Sequence, residues 1–210
     1  MTATSGRRLR ADAERSIRAI MTAAERLLSE NPAATMEQIA EAAGVARTTV
    51  HRRFASRETL IETMETTAWR EIAEAVDAAR PHTAPPLVAL HQATANILQI
   101  KSGWRFTLAR PVPLAAGAQA AQAEVMGKCE LVFTRAKESG ILPADADVSW
   151  IRRAYLALLA ETAHGSRSGD PAPAGSGAAA DAPAPNETSD DPDALSSRLI
   201  DTLLYGVAGN

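Results

Sequence analysis

Apolar residues recur along most of this chain at spacings of three and four, the period of one face of an α-helix. The clearest set is Ile17, Met21, Ala24 and Leu28. It predicts a helix with one apolar stripe that ends near Asn31-Pro32, because a proline disfavours helical geometry at the residue before it. The strict alternation typical of a strand is found nowhere in the sequence. We therefore predict an all-α fold of about nine helices.

Two short helices are predicted between residues 35 and 53. Thr35 is placed to cap the first of them, and Gln38, three residues later, completes a capping box. Gly44 ends that helix, since glycine can take the positive φ angle of a tight turn. The next helix runs from about Ala46 to Arg53. Ala46 has no capping side chain, which is expected to cost ~1 kcal/mol.

Prolines and glycines divide the remaining sequence into further predicted helices. Their approximate ranges are 57 to 80, 87 to 100, 104 to 108, 115 to 138, 148 to 164, and 193 onwards. Between the last two, the composition changes abruptly to Pro, Ala, Gly, Ser and Asp. Such a segment cannot bury enough apolar surface to offset its ordering entropy, so we predict a disordered loop at 166–192.

The short helices carry the chemistry of the sequence. We expect an inward-facing scaffold made by Ile39, Ala40, Val45, Val50 and Phe54. The other positions of the third helix then face outward: Arg47, Thr48, Thr49, His51, Arg52 and Arg53. Each can form hydrogen bonds and none is acidic, as a helix in the major groove of DNA requires. The alternative is an ordinary solvated face, but the complete scaffold favours DNA binding.

This stretch resembles the DNA-binding unit of the TetR family of bacterial regulators. The matching positions are Thr35, Ile39, Ala40, Gly44, Val45, Thr49, Val50, His51, Phe54, Arg57, Glu58 and Leu60. His51 stands where the family has Tyr, Arg57 where it has Lys, and Ala46 where Ser or Thr is common. The motif covers about residues 12 to 60, and the all-helical remainder matches the family in layout only.

The resemblance implies a role for each polar residue. Phosphate contacts are expected from Thr35, His51 and Arg57, and base contacts from Arg47, Thr48 and Thr49. Arg52 is left open between a base and a phosphate, and Arg53 completes the predicted DNA-binding set. Arg47 is the leading candidate for a bidentate contact to guanine, worth ~1 to 3 kcal/mol of discrimination. The arm 7–10 holds three arginines that could enter a minor groove, although a disordered tail is the favoured interpretation.

The resemblance also implies two domains. Residues 10–60 would form the three-helix DNA-binding domain, and residues 61–210 a C-terminal helical domain for regulation and dimerisation. The pocket candidates for a small-molecule effector are Trp69, His91, Asn96, Trp104, Phe106, Phe133, Trp150 and Tyr155. Taken singly, each is more often ordinary core or surface, so fewer than half are expected to contact a ligand.

Two apolar helix faces near the C-terminus are the candidates for a dimer interface. They are represented by Ile151, Tyr155, Leu158, Leu195, Leu199 and Leu203. Both faces could instead fill the core of a single subunit. Dimerisation is favoured because one short helix-turn-helix reads few bases, and two-fold symmetry suits a palindromic operator.

Charge and composition refine this picture. The net charge of the 210 residues is −3, but residues 1–60 hold ten arginines against seven acids. The only cysteine, Cys129, is expected to be a small buried hydrophobe rather than a redox sensor. The N-terminus does not resemble a signal peptide, and no apolar run reaches the ~18 residues that span a bilayer. A cytoplasmic protein without membrane association is expected.

Enzymatic motifs are missing from the sequence. There is no glycine-rich phosphate loop, GxSxG elbow, HExxH pair or paired-cysteine metal site, so neither catalysis nor a cofactor is expected. An interaction module that has lost DNA binding is a second alternative, which the acid-free face of the third helix argues against. We predict a ligand-responsive regulator, most often a repressor in this family. Its partners would be a palindromic DNA operator, a second copy of the chain and a small-molecule effector.

Overall fold

The computed structural model describes residues 3–110, 113–165 and 191–206, and within these ranges it contains nine α-helices and no strand. The helices are α1 (Ala3–Glu30), α2 (Met36–Ala42), α3 (Arg47–Arg53), α4 (Arg57–Ala78), α5 (Pro86–Gly103), α6 (Arg105–Ala109), α7 (Ala116–Glu138), α8 (Val148–Gly165) and α9 (Pro192–Tyr205). The predicted all-α fold is confirmed. No described helix is both long enough and apolar enough to cross a membrane.

Two helix starts differ from the sequence-based expectation. Helix α1 already begins at Ala3, so the arm 7–10 is helical, and its interpretation as a disordered tail was wrong. Helix α9 begins at Pro192, which was assigned to the predicted loop. The side chain of Asp191 accepts a hydrogen bond from the backbone N–H of Asp193 at 3.2 Å, which caps α9, and proline suits the first helical position. Residues 166–190 of that loop lie outside the described residues.

One compact unit comprises residues up to 70 together with 103–121. Its core contains apolar side chains from α1 to α4, among them Ile20, Leu28, Ile39, Val50, Phe54, Leu60 and Met64. The half-buried rings of Trp104 and Phe106 pack against this core. The short helix α6, although distant in sequence, therefore belongs structurally with the helix-turn-helix.

Two buried carboxylates fix the α6 segment within this unit. Glu25 of α1 accepts hydrogen bonds from the backbone N–H of Phe106 at 2.5 Å and from the hydroxyl of Thr107 at 2.6 Å. Glu65 of α4 accepts from Arg110 at 2.7 Å and from the backbone N–H of Ala115 at 3.3 Å. Charge-assisted bonds of this kind are about twice as strong as neutral ones, so they hold the segment firmly.

The other unit comprises residues 71–102 and the chain from residue 122 onwards. Helix α8 packs against α9 within it. Its buried side chains include Phe133, Tyr155, Leu199 and Ile200. The hydroxyls of Thr94 and Tyr155 lie 2.9 Å apart, and Ser196 of α9 donates a hydrogen bond to the carbonyl oxygen of His91 at 2.8 Å.

Candidate nucleic-acid interface

The capping box at the start of α2 forms as the sequence predicts. The backbone N–H of Gln38 donates to the Thr35 hydroxyl oxygen at 3.3 Å, and the Gln38 side chain accepts from the backbone N–H of Thr35 at 2.9 Å. Both bonds satisfy donors that a helix N-terminus otherwise leaves free. Thr35 is exposed, and its hydroxyl hydrogen can be donated to the nearby Glu37 carboxylate or to an outside partner.

The turn between α2 and α3 depends on Gly44. Its φ angle is +65°, in the left-handed region that side chains with a Cβ rarely adopt. The backbone N–H of Val45 donates to the carbonyl oxygen of Ala40 at 3.1 Å and fastens the turn to α2. The turn therefore fixes the direction in which α3 leaves α2.

Helix α3 is anchored by two apolar side chains. Val50 is fully buried and Phe54 is 3% exposed, so the helix cannot rotate about its axis without exposing them. Ala46 is the N-cap residue of this helix, and it forms no side-chain cap, as expected for alanine. The rigid support turns a defined set of side chains outward.

Fewer side chains of α3 are exposed than the sequence predicts. Arg47, Thr48, His51 and Arg52 are exposed, whereas Thr49 and Arg53 are half-buried. The Nε atom of Arg53 is buried and has no hydrogen-bond partner among the described residues. The exposed donors are therefore concentrated on four side chains.

Glu37 of α2 was not among the predicted site residues, yet it lies against this surface. One of its carboxylate oxygens, Oε1, is 2.6 Å from Nη2 of Arg47 and 4.0 Å from Nε2 of His51. The Glu37 backbone N–H lowers the pKa of the carboxyl, and the Thr35 hydroxyl and Arg47 add to this against an opposing effect of burial. Sequence reasoning considered acids on the third helix alone. The signal it missed was an acid in the first turn of α2.

Arg57, at the start of α4, binds the loop between α1 and α2. Its Nε donates to the carbonyl oxygen of Ala34 at 3.2 Å, and its Nη2 donates to that of Pro32 at 2.5 Å. A guanidinium has five N–H groups, so three remain after these two bonds. The structure thus gives Arg57 a positioning role, while its predicted phosphate contact stays a prediction.

The structure brings two of the predicted pocket residues into contact. The rings of Phe133 and Tyr155 meet edge to face, with centroids 5.6 Å apart and an interplanar angle of 69°. Asn96 donates to the carbonyl oxygen of Ala75 at 3.0 Å, and Trp69, Trp104 and Phe106 lie in the other unit. Trp69 and His91 are half-buried, and Trp150 is 61% exposed with Arg153 over its ring.

The six dimer candidates differ in exposure. Tyr155 and Leu199 are each 3% exposed, so they are already buried within their own unit. The other four are half-buried: Ile151, Leu158, Leu195 and Leu203. A second copy of the chain could therefore cover these four, but would find little free surface on Tyr155 or Leu199.

Cys129 of α7 is partly buried and carries a free thiol. Burial raises the pKa of this thiol to about 12, so the thiol remains protonated at neutral pH. A thiol reacts through its thiolate, and Cys129 therefore lacks the character of a redox sensor. Within the described residues, no three His, Cys, Asp or Glu side chains are grouped to hold a metal ion.

Within the described residues, an all-helical fold with a capped α2, a glycine turn and an α3 presenting four exposed donors has the features of a helix-turn-helix DNA-binding unit. The family described as "Bacterial regulatory proteins, tetR family" matches residues 20–64. The HTH-type transcriptional repressor LfrR of Mycolicibacterium smegmatis is 30% identical over 158 residues, which span 75% of this chain and 82% of that protein. The chain therefore belongs to the TetR family, and it is a transcriptional regulator, not an enzyme.

Solved structures show the same fold. LfrR from Mycobacterium smegmatis in complex with proflavine superimposes with a TM-score of 0.64 at 24% identity, covering 92% of this chain and 97% of that one. The transcriptional regulator FadR from Bacillus subtilis in complex with stearoyl-CoA gives a TM-score of 0.67 at 18% identity, covering 90% and 98%. The resemblance first drawn from residues 35–60 thus extends over the described architecture.

Proposed function

We propose that this chain is an effector-responsive repressor that binds a palindromic operator as a homodimer and leaves it when a small molecule binds. The observation that carries this is the anchored α3, which presents Arg47, Thr48, His51 and Arg52 to the outside. Repression is supported by LfrR, a repressor of which this chain covers most of the length. In this proposal residues 10–60 read DNA and residues 61–210 regulate.

The proposed DNA contacts follow from donor chemistry and exposure. Arg47, Thr48 and Thr49 would contact base edges, and Arg52 a base or a phosphate. The Thr35 hydroxyl and His51 would bind phosphates, with Arg57 and Arg53 as contributors at the edge of the surface. Phosphate contacts position the protein, whereas base contacts specify the sequence.

A homodimer is proposed because two copies of α3 related by two-fold symmetry can read successive half-sites of a palindrome. The half-buried apolar residues of α8 and α9 provide the interface in this proposal. Leu158→Glu with Leu203→Glu should shift the species seen by light scattering from dimer to monomer. An unchanged mass would move the interface away from α8 and α9.

The effector is proposed to bind in the unit formed by residues 71–102 and the chain from 122 onwards. In this proposal the ligand enters beside the buried aromatic pair of Phe133 and Tyr155, with the half-buried Asn96 as a polar group of the same unit. The complexes of LfrR with proflavine and FadR with stearoyl-CoA favour a ligand with a large apolar part. Release would result from the ligand's higher affinity for a form that does not fit DNA.

The proposal is tested by fluorescence anisotropy with duplexes from the DNA upstream of the gene. Wild-type protein should bind one of them with an affinity that falls steeply with salt, as phosphate contacts require. Proflavine should then lower the anisotropy, and Phe133→Leu, which keeps this buried position apolar, should blunt that response. No salt-dependent binding to any duplex would overturn the proposal.

A further inference from the structure

We infer that Glu37 determines the sequence specificity of the DNA-binding surface. Its carboxylate restrains Arg47 and His51 from contacting phosphates without selection and holds the free edge of the Arg47 guanidinium toward a base. The inference rests on the proposed function, because it requires that α3 contacts DNA. It assigns a role to a residue of α2 that the recognition-helix pattern does not contain.

The geometry places one carboxylate oxygen between two donors of α3. Arg47 and His51 are four residues apart, so they lie on the same helix face. Glu37 Oε1 is 2.6 Å from Arg47 Nη2 and 4.0 Å from His51 Nε2. The side chains of Arg47, His51 and Glu37 are 67%, 44% and 45% exposed. The pair therefore lies on the surface that DNA would approach, and not within the core.

The charge of Glu37 opposes contact with phosphates. Its backbone N–H, the Thr35 hydroxyl and Arg47 keep the pKa of the carboxyl below its ordinary value, so it is ionised at neutral pH. Binding to a random duplex comes almost entirely from phosphate contacts. A carboxylate that neutralises Arg47 and repels phosphate therefore weakens this unselective binding most.

The same ion pair leaves Arg47 free to read a base. A guanidinium has five N–H groups in a fixed planar fork. The contact with Glu37 is made through Nη2, and other N–H groups remain for the O6 and N7 atoms of guanine. This contact restricts the motion of the Arg47 side chain, and Glu37 thereby reduces the freedom that Arg47 would lose on binding the operator.

The test compares wild-type protein with Glu37→Gln, which keeps the side-chain shape and removes the charge. Binding is measured by anisotropy over a salt series, on a random duplex and on an operator recovered by repeated selection with wild-type protein. On the random duplex, we expect the variant to bind about three- to tenfold more tightly. The slope of log affinity against log salt concentration should become steeper by the equivalent of about one phosphate contact for each copy of α3. Operator affinity should stay the same or fall, so discrimination decreases.

Glu41→Gln is the matched control. Glu41 is an exposed acid on the same helix for which the described part of the chain shows no ion pair. The Glu41→Gln substitution removes the same charge, and it should change the affinity for both duplexes by the same small factor. Because exposed ion pairs contribute little to stability, thermal unfolding of Glu37→Gln should remain close to that of the wild type.

Each outcome decides a different point. If Glu37→Gln gains the same affinity for both duplexes, Glu37 acts only by general repulsion of DNA and the inference is overturned. An unchanged affinity for both duplexes would also overturn it. Arg47→Ala, measured alongside, separates this from the proposed function. If wild-type protein binds neither duplex, the DNA-contact proposal itself fails. If Arg47→Ala binds both duplexes as well as the wild type, Arg47 does not contact DNA and the inference on Glu37 fails while the DNA-contact proposal stands.

Discussion

The carboxylate of Glu25 and the side chain of Thr107 are joined by a buried hydrogen bond of 2.6 Å across 82 residues of sequence. The same carboxylate accepts from the backbone N–H groups of Phe106 and Thr107 at the start of α6. Helix α1, which supports the helix-turn-helix, is thereby tied directly to α6. Several donors depend on a single acceptor, so this site is sensitive to substitution.

Glu25→Ala should destabilise the protein by about 2 kcal/mol or more, since it leaves buried donors without an acceptor. Urea unfolding followed by circular dichroism measures the change. Glu30→Ala, at the exposed end of the same helix, is the control and should change the free energy of unfolding by less than about 0.5 kcal/mol. Similar losses in the two variants would show that the α6 contact contributes nothing special.

Gly44→Ala should lower stability by about 1 kcal/mol, because alanine must adopt the positive φ angle of the turn. No atom lies within 4 Å of a Cβ built at this position, so the loss reflects the backbone alone. Gly127→Ala, in α7 with equally open surroundings, should instead raise stability by about 0.5 to 1 kcal/mol. Thermal unfolding of the two variants measures both changes in stability. Two shifts of the same sign would contradict the proposed reason.

Arg47→Ala should relax the preference for one operator base in each half-site, with a loss of about 1 to 3 kcal/mol of discrimination. The measurement is competition binding with operators changed at single positions. Uniform weakening on every sequence would instead assign Arg47 to a phosphate. Thr59→Ala, at an exposed position of α4, provides a comparison outside the proposed contact surface.

The Cys129 thiol should be nearly inert toward a disulfide reagent at pH 8 in the folded protein and react quickly after denaturation. Its pKa of about 12 lies above the ordinary value of 9.0, so the unfolded chain loses this proton first. The thiol therefore contributes stability that is complete below about pH 9 and is lost as pH rises toward 12. Alkaline unfolding of Cys129→Ala should show a smaller decline. Rapid labelling of the native protein would contradict the shifted pKa.

Much of the local structure could be predicted because its information lies within a few residues. The Thr35 and Gln38 capping box, the turn at Gly44 and the buried Val50 each follow from short spacings in the sequence. The end of a helix is harder to predict where no proline, glycine or capping residue marks it. For that reason the arm 7–10 was misassigned, since polar residues with helical propensity extend α1 without adding an apolar stripe.

The sequence by itself determined most of the helices, the helix-turn-helix and the polar, acid-free composition of α3, because periodicity, caps and turn residues act over three or four positions. Only the tertiary structure decided that Glu37 engages Arg47, that Arg57 binds the loop before α2, and that α6 belongs with the helix-turn-helix. These contacts join residues that are 10, 23 and 82 positions apart in the chain. No local pattern encodes them, because they arise from the way the helices pack.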